Sequence, residues 1–159
     1  MSSEMLHDEY WFVKLLDSSI FGLNILNYQV TFNAPMNKSI LQVKSFDFAV
    51  QIVRLYQTFI DNKKDSILIR QLLRSGTSIG ANIKEAGKAE STRDFIHKLG
   101  IAQKECDETL YWLAILKETN YISETVFSKQ SSDANEILKM LRSSILTAKK
   151  NLLQKRSEK

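Results

Sequence analysis

The sequence is poor in residues that build covalent or metal-linked scaffolds. Its 159 residues contain one cysteine, Cys106, and two histidines. No internal disulfide can form, and the four closely spaced ligands of a usual structural zinc site are missing. A lone thiol is typical of a reducing compartment. Extracellular disulfide scaffolds and zinc modules are therefore excluded, and no structural metal is expected.

Long apolar runs are also missing. The first 30 residues begin with an acidic stretch, and their apolar residues are interrupted by Lys14, Asp17, Asn24 and Asn27. They match neither a secretory signal nor a membrane span, which needs about 18 to 20 apolar residues. With 43% apolar and 25% charged residues, the composition is that of one globular domain. We therefore expect a cytoplasmic protein.

Proline occurs once, at Pro35, where the composition and periodicity of the sequence change. Before it lies an aromatic and asparagine-rich segment, with a helical pattern at 8–20 and a strand-like stretch at 28–32. After it, apolar residues recur at helical spacing. The predicted helices span residues 45–61, 65–88, 92–118 and 123–152, with N-caps at Ser45, at Ser91 or Thr92, and at Ser123.

These four segments predict an all-α fold, an antiparallel up-and-down four-helix bundle. The predicted division is an N-terminal extension at 1–43, irregular or partly helical, the bundle at 44–153 and a basic C-terminal tail at 154–159. Glycines on the apolar stripe of the second helix imply close packing or a kink, because glycine costs about 1 kcal/mol relative to alanine inside a helix.

The net charge of +4 is unevenly placed. One cationic set lies near the C-terminus, and a second forms a stripe along the second helix at spacings of three and four. Such cations bind phosphate backbones with little sequence specificity. The first hypothesis therefore assigns nucleic-acid binding to Arg70, Arg74, Lys84, Lys88, Lys149, Lys150, Lys155 and Arg156. In the alternative, the stripe pairs with acids such as Asp94, Glu105 or Glu108, within or between subunits, and the C-terminal set only solubilises the chain.

Two further pairs carry structural predictions. Asn82 and Glu85 are predicted to form a buried polar network that fixes the register between helices, rather than a catalytic site. Tyr111 and Trp112 flank the core seam of the third helix. They are predicted to lie in a subunit interface, with base stacking as the alternative.

Patterns that would carry catalysis are missing. A di-iron centre in a bundle requires two Glu-x-x-His pairs, whereas His97 is the only histidine in the predicted helices and follows Asp94. Cys106 lies on an apolar stripe without a histidine at helical spacing, which indicates a core residue. Neither a glycine-rich phosphate loop nor a Ser-His-Asp set is found. We therefore expect no enzymatic activity, no catalytic residue, no cofactor and no bound metal.

One block of residues has a distinctive combination. It comprises Arg74, Ser78-Ile79, ANIKEA at 81–86, Phe95, Ile101-Ala102, ETLYWL at 108–113, ILKML at 137–141 and TAKK at 147–150. This block resembles the four helix bundle proteins related to those encoded by intervening sequences in bacterial 23S rRNA genes. The resemblance covers roughly residues 43–152, and residues 1–42 have no counterpart in it.

The resemblance implies a bundle that assembles into a ring-like homo-oligomer, pentameric where relatives have been described. It extends to an accessory protein of diversity-generating retroelements, a basic bundle that associates with reverse transcriptase and nucleic acid. The partners expected from it are further copies of this chain, RNA or DNA, and reverse transcriptase or another protein. The segment before the bundle is then either an added partner-binding arm or translated upstream sequence.

The functional hypothesis is therefore a non-enzymatic, homo-oligomeric bundle that acts as a nucleic-acid-associated scaffold or accessory protein. The alternative is a protein-protein interaction module that does not bind nucleic acid.

Overall fold

A computed structural model describes residues 39–62 and 67–157, and four helices make up nearly all of them. They are α1 (Ile40–Asp61), α2 (Ile67–Ala86), α3 (Thr92–Glu118) and α4 (Glu124–Ser157). No strand occurs within these two ranges, and none of the helices in them is long and apolar enough to cross a membrane. The all-α prediction is confirmed. The patterns at 8–20 and 28–32, and most of the predicted N-terminal extension, lie outside the described residues.

The start of α1 was predicted too late. Ser39 is the N-cap: its Oγ accepts from the Gln42 N–H at 3.3 Å, and the Gln42 side chain accepts from the Ser39 N–H at 3.1 Å. This is a capping box, which satisfies two backbone donors at once. Ser45, the predicted cap, is buried inside α1, where its hydroxyl donates to the Gln42 carbonyl at 3.1 Å. The prediction was wrong because a serine inside a helix can satisfy its hydroxyl on the preceding turn.

The other two predicted caps are confirmed. Ser91 Oγ accepts from the Asp94 N–H at 3.1 Å, and Ser123 Oγ accepts from the Val126 N–H at 3.3 Å. Asp94 also places a negative charge at the positive end of the α3 dipole. The end of α4 lies at Ser157 and not at 152. Gln, Lys and Arg are good helix formers, and cations suit a helix C-terminus, so the basic segment continues the helix.

Each helix packs against its neighbours in chain order, and α4 closes the bundle against α1. Among the described residues, α2 and α4 make no contact, nor do α1 and α3. The helices thus occupy four corners, with α2 diagonally opposite α4. The largest fully buried side chains come from all four helices: Phe48, Ile52, Ile69, Leu72, Ile79, Leu99, Leu113, Leu116, Ile137 and Leu141.

Two glycines allow α1 to approach α2 closely. A Cβ atom at Gly76 would lie 2.9 Å from Ile52 Cγ1, and one at Gly80 would lie 3.2 Å from the Ser45 carbonyl oxygen. Any larger side chain at Gly76 would therefore push against a buried isoleucine. Of the two roles predicted for the glycine stripe, close helix packing is the one the structure shows at these positions.

Candidate nucleic-acid interface

The C-terminal end of α4 extends beyond the N-terminal ends of the two helices that pack against it, α1 and α3. The Cys106 thiol lies 3.1 Å from the Ala134 carbonyl oxygen, and Lys44 Nζ lies 2.8 Å from Glu136 Oε2. These contacts show which positions of α3 and α1 lie opposite which positions of the antiparallel α4. Counting outward from them at 1.5 Å per residue, α4 continues for about two turns past the start of α3 and for about four turns or more past the start of α1. Residues 149–157 are therefore a projecting end of α4.

The projecting end carries the C-terminal cationic set as one cluster. Lys149, Lys150, Lys155 and Arg156 are all exposed on α4. Within residues 39–62 and 67–157, no carboxylate lies within 4 Å of any of their charged groups. We call these four residues the α4 cluster. Its cations are not neutralised by the described part of the chain, so an external anion can reach them.

Exposed leucines alternate with these cations. Leu146, Lys149, Leu153 and Arg156 follow one another at spacings of three and four, which places them on one line of the helix surface. Leu153 is 63% exposed, and Leu146 is exposed as well. No aromatic side chain lies in residues 149–157. This surface therefore offers charge and aliphatic contact, but no platform on which bases could stack.

The predicted cationic stripe also lies on the surface, but at another corner. Arg70, Arg74 and Lys84 are exposed on α2, and Lys88 is exposed two residues after its end. Because α2 and α4 lie diagonally opposite, the stripe and the α4 cluster occupy different corners of the bundle on a single chain.

Arg74 faces an acidic pair on α3. Burial raises the pKa of Glu105 above its ordinary value, the nearby charge of Glu108 raises it further, and Arg74 acts in the opposite direction. Arg74 therefore lies near Glu105, one of the acids named in the alternative prediction.

The raised pKa of Glu105 gives a prediction about stability. In the folded state the pKa lies above the unfolded value, so the ionised carboxylate opposes folding, and stability falls as the pH rises through the folded pKa. Glu105→Gln is expected to raise the denaturant midpoint modestly at pH 7. The difference should shrink below about pH 4, where the carboxyl is protonated in both states. Equal midpoints of the unchanged protein and the Glu105→Gln variant at pH 7 would contradict this explanation.

Asn82 and Glu85 do not form the buried polar network that the sequence predicted. Glu85 is exposed and accepts from Lys98 Nζ at 2.6 Å, linking α2 to α3 at the surface. Asn82 is half-buried and donates to the Ser78 carbonyl of its own helix at 2.9 Å. The prediction that Glu85 is buried was wrong because the ion pair of this carboxylate is with a lysine that itself remains near solvent.

The buried polar contact between these helices is a different pair. Thr109 Oγ1 donates to Ser75 Oγ at 3.1 Å, and both residues are fully buried. Both were missed because Ser and Thr are common on helix surfaces. The available signal was that Ser75 precedes Gly76, and Thr109 lies three residues after Cys106, each on the buried side of its helix.

Tyr111 and Trp112 form an aromatic pair on the outside of α3. Their ring centroids are 5.1 Å apart in an edge-on arrangement, and Trp112 Nε1 donates to Glu108 Oε1 at 3.0 Å. Trp112 is half-buried against the core, whereas Tyr111 is 59% exposed. Trp112 is thus held by its packing and its hydrogen bond, and the pair presents an aromatic edge to the outside.

Groups with potential reactivity are used in packing or stay at the surface. Cys106 is fully buried, and burial raises the pKa of its thiol to about 12, so it stays protonated and serves as a core residue as predicted. His97 is exposed on α3. In the described ranges, no three His, Cys, Asp or Glu side chains are grouped so that they could hold a metal ion.

The family model of the 23S rRNA-intervening sequence protein matches residues 37–143. This range contains α1, α2, α3 and more than half of α4. The chain belongs to the 23S rRNA-intervening sequence protein family. The cationic stripe of α2 and the aromatic pair of α3 lie inside the family range, whereas the α4 cluster lies after it.

A solved protein has a similar architecture. It is a crystal structure of a protein of unknown function from the S23 ribosomal protein family of Bacteroides thetaiotaomicron. The TM-score is 0.65 at 48% sequence identity, and the match covers 67% of this chain and 98% of that chain. This 23S rRNA-intervening sequence family member is therefore longer than its structural neighbour. Among curated proteins, none matches the chain.

Proposed function

We propose that the protein is a non-enzymatic, homo-oligomeric scaffold or accessory protein of the cytoplasm that binds RNA or DNA through the α4 cluster. The observation that supports this most strongly is the projecting end of α4. Four cations stand there on a helix that passes the starts of its neighbours, and no described carboxylate lies within 4 Å of them.

The chemistry of this surface favours phosphate contact over base reading. Lysine ammonium and arginine guanidinium groups bind phosphate oxygens, and such contacts are indifferent to sequence. Stacking on bases requires aromatic side chains, which residues 149–157 lack. We therefore propose binding with similar affinity to different sequences and a strong dependence on salt concentration.

The test is a titration of fluorescently labelled single-stranded RNA and duplex DNA with the purified protein. At about 50 mM salt, where the electrostatic contribution is large, we expect saturable binding to both. No binding to either at this salt concentration would remove the proposal and leave the protein-protein interaction module.

The interaction module is supported by a separate observation. Four apolar side chains of α1 are exposed: Ile40, Val43, Phe46 and Val53. A helix that is apolar on both its inner and outer faces usually has a partner on each. In the homo-oligomer that we propose, further copies of this chain provide that partner, and a reverse transcriptase or another protein is a second candidate. Light scattering should then give several times 18.3 kDa.

A further inference from the structure

The charge of α4 changes halfway along the helix. All of its acids lie in the first half: Glu124, Asp133 and Glu136. Residues 137–157 contain no Asp or Glu, and they carry Lys139 and Arg142 in addition to the α4 cluster. Lys139 and Arg142 are both exposed. The basic surface of α4 therefore begins well before its projecting end.

Two ion pairs show which side of α4 faces away from the bundle. Glu136 lies 2.8 Å from Lys44 of α1, and Arg142 lies 3.9 Å from Asp107 of α3. At 3.6 residues per turn, Glu136 and Arg142 are about 120° apart around the helix. The surface between them faces away from both neighbours. It contains Leu146 and Leu153, which are both more than half exposed.

The cations of this surface form two rows with the leucines between them. Lys149 and Lys150 lie four and three residues before Leu153, so they stand on either side of it. Cations seven or eleven residues away from these two, about two or three turns, continue their rows. One row is Arg142, Lys149 and Arg156, and the other is Lys139 and Lys150. We call the two rows together with Leu146 and Leu153 the α4 outer face.

The cations of the α4 outer face are almost free of acidic partners. In residues 39–62 and 67–157, Arg142 is the only one of the five with a carboxylate within 4 Å, and its 3.9 Å contact joins two side chains that are more than half exposed. Lys155 lies two residues after Leu153, about 160° around the helix, so it points away from this face. Three of the four cations of the α4 cluster therefore belong to the face.

We propose that the α4 outer face lies in the major groove of B-form duplex DNA. The inference rests on the nucleic-acid binding proposed above and names the form of nucleic acid that is bound. The major groove is about 12 Å wide, and an α-helix with its side chains is about 10 to 12 Å across. The two rows of cations face the phosphates of the two strands, and Leu146 and Leu153 contact base edges at the floor of the groove. Leucine has no hydrogen-bond donor or acceptor, so this contact adds fit to the groove without hydrogen-bond reading of the sequence.

The same side chains fit other anionic partners less well. The major groove of an A-form RNA duplex is too deep and narrow for side chains to read, so α4 cannot enter it. A single strand offers one row of phosphates instead of two, and its bases stack on aromatic side chains, which the α4 outer face lacks. A helix on an anionic membrane buries a broad apolar side opposite its cations, whereas these leucines form one narrow row between cations.

The first test measures affinity for duplexes with an open and a filled major groove. Anisotropy titrations of the full chain at about 100 mM salt compare a plain DNA duplex with one whose cytosines carry a glucosylated 5-hydroxymethyl group. This group projects from C5 into the major groove and leaves the phosphates unchanged. We expect the filled duplex, and an RNA duplex of the same sequence, to bind about 10-fold more weakly or worse, because the groove is closed to the helix.

Two results of this titration have different meanings. Equal affinity for the plain and the filled DNA duplex would overturn the groove contact, while nucleic-acid binding stands. Absence of binding to every nucleic acid, even at about 50 mM salt, would instead overturn the function proposed above, and the groove contact with it.

The second test uses the matched variants Leu153→Glu and Asn151→Glu. Both positions are exposed, they lie on opposite sides of α4, and each variant adds one negative charge. Leu153→Glu should weaken binding to the plain duplex about 10-fold or more, because a carboxylate in the groove meets phosphates. Asn151→Glu should weaken it less than about threefold, because its charge lies on the far side and is screened by salt. Circular dichroism checks that both variants keep their helix content.

Two outcomes of the second test would overturn the groove contact. Equal losses in the two variants would show that net charge alone governs affinity. If Leu153→Glu instead keeps its affinity for the duplex but no longer cosediments with anionic phospholipid vesicles that the unchanged protein binds, the leucines belong to a membrane contact.

Discussion

Replacing Lys149, Lys150, Lys155 and Arg156 with glutamine is expected to weaken nucleic-acid binding by about 10- to 1,000-fold near 100 mM salt, because up to four phosphate contacts are lost. The factor should be similar for unrelated sequences, since phosphates carry no sequence information. All four positions are exposed, and glutamine is a good helix former, so the helix content should not change. Anisotropy titrations with two RNAs and two duplexes measure the effect.

The control for this experiment separates local contact from overall charge. The double variant Arg54→Gln/Lys129→Gln removes two exposed cations from α1 and the first half of α4. It should weaken binding less than Lys149→Gln/Lys150→Gln, which removes the same charge from the α4 cluster. Equal effects of the two double variants would show that net charge, and not the α4 cluster, attracts nucleic acid.

Gly76→Ala is expected to lower the free energy of unfolding by about 1 to 3 kcal/mol, the cost of overpacking a well-packed core. The added Cβ would lie 2.9 Å from Cγ1 and 3.0 Å from Cγ2 of Ile52, which is fully buried, so either the isoleucine or the helix must shift. Urea unfolding followed by circular dichroism measures the loss. Adding Ile52→Ala, which removes the Cγ1 and Cγ2 atoms that the new Cβ would meet, should make the double variant more stable than the sum of the single effects.

Gly100→Ala is the matched control inside α3. A Cβ atom there would have no atom within 4 Å, so only the helix propensity changes. We expect a gain of about 0.5 to 1 kcal/mol. A loss of stability at Gly100, or a gain at Gly76, would contradict the packing described for these two helices.

The helices could be predicted because their apolar residues repeat at helical spacing with few competing signals. The cap of α3 at Ser91 followed from a serine three residues before an acid. The cap of α1 did not, because Ser39 and Ser45 are both serines before apolar runs, and only the Gln42 side chain distinguishes them. The end of α4 could not be located from the sequence, because clustered charges suit both a solvated tail and the end of a helix.

The residues of the candidate site could be listed from the sequence, but their grouping could not. Spacings of three and four placed four cations on one stripe, and the structure confirms that all four are exposed: Arg70, Arg74, Lys84 and Lys88. The sequence could not show that this stripe and the α4 cluster occupy opposite corners, because the corner of each helix depends on tertiary packing. For the same reason Glu85 was assigned to a buried network that Ser75 and Thr109 occupy instead.

The dependence of nucleic-acid affinity on salt tests the central claim most directly. The account predicts that the logarithm of the binding constant for duplex DNA falls linearly with the logarithm of the salt concentration, with a slope of up to about −0.9 for each phosphate contacted. Removing the α4 cluster should make this slope shallower, by up to about 3.6 if all four cations contact phosphates. Binding that does not weaken as salt rises from about 50 to 200 mM, or a slope unchanged by the four substitutions, would contradict it.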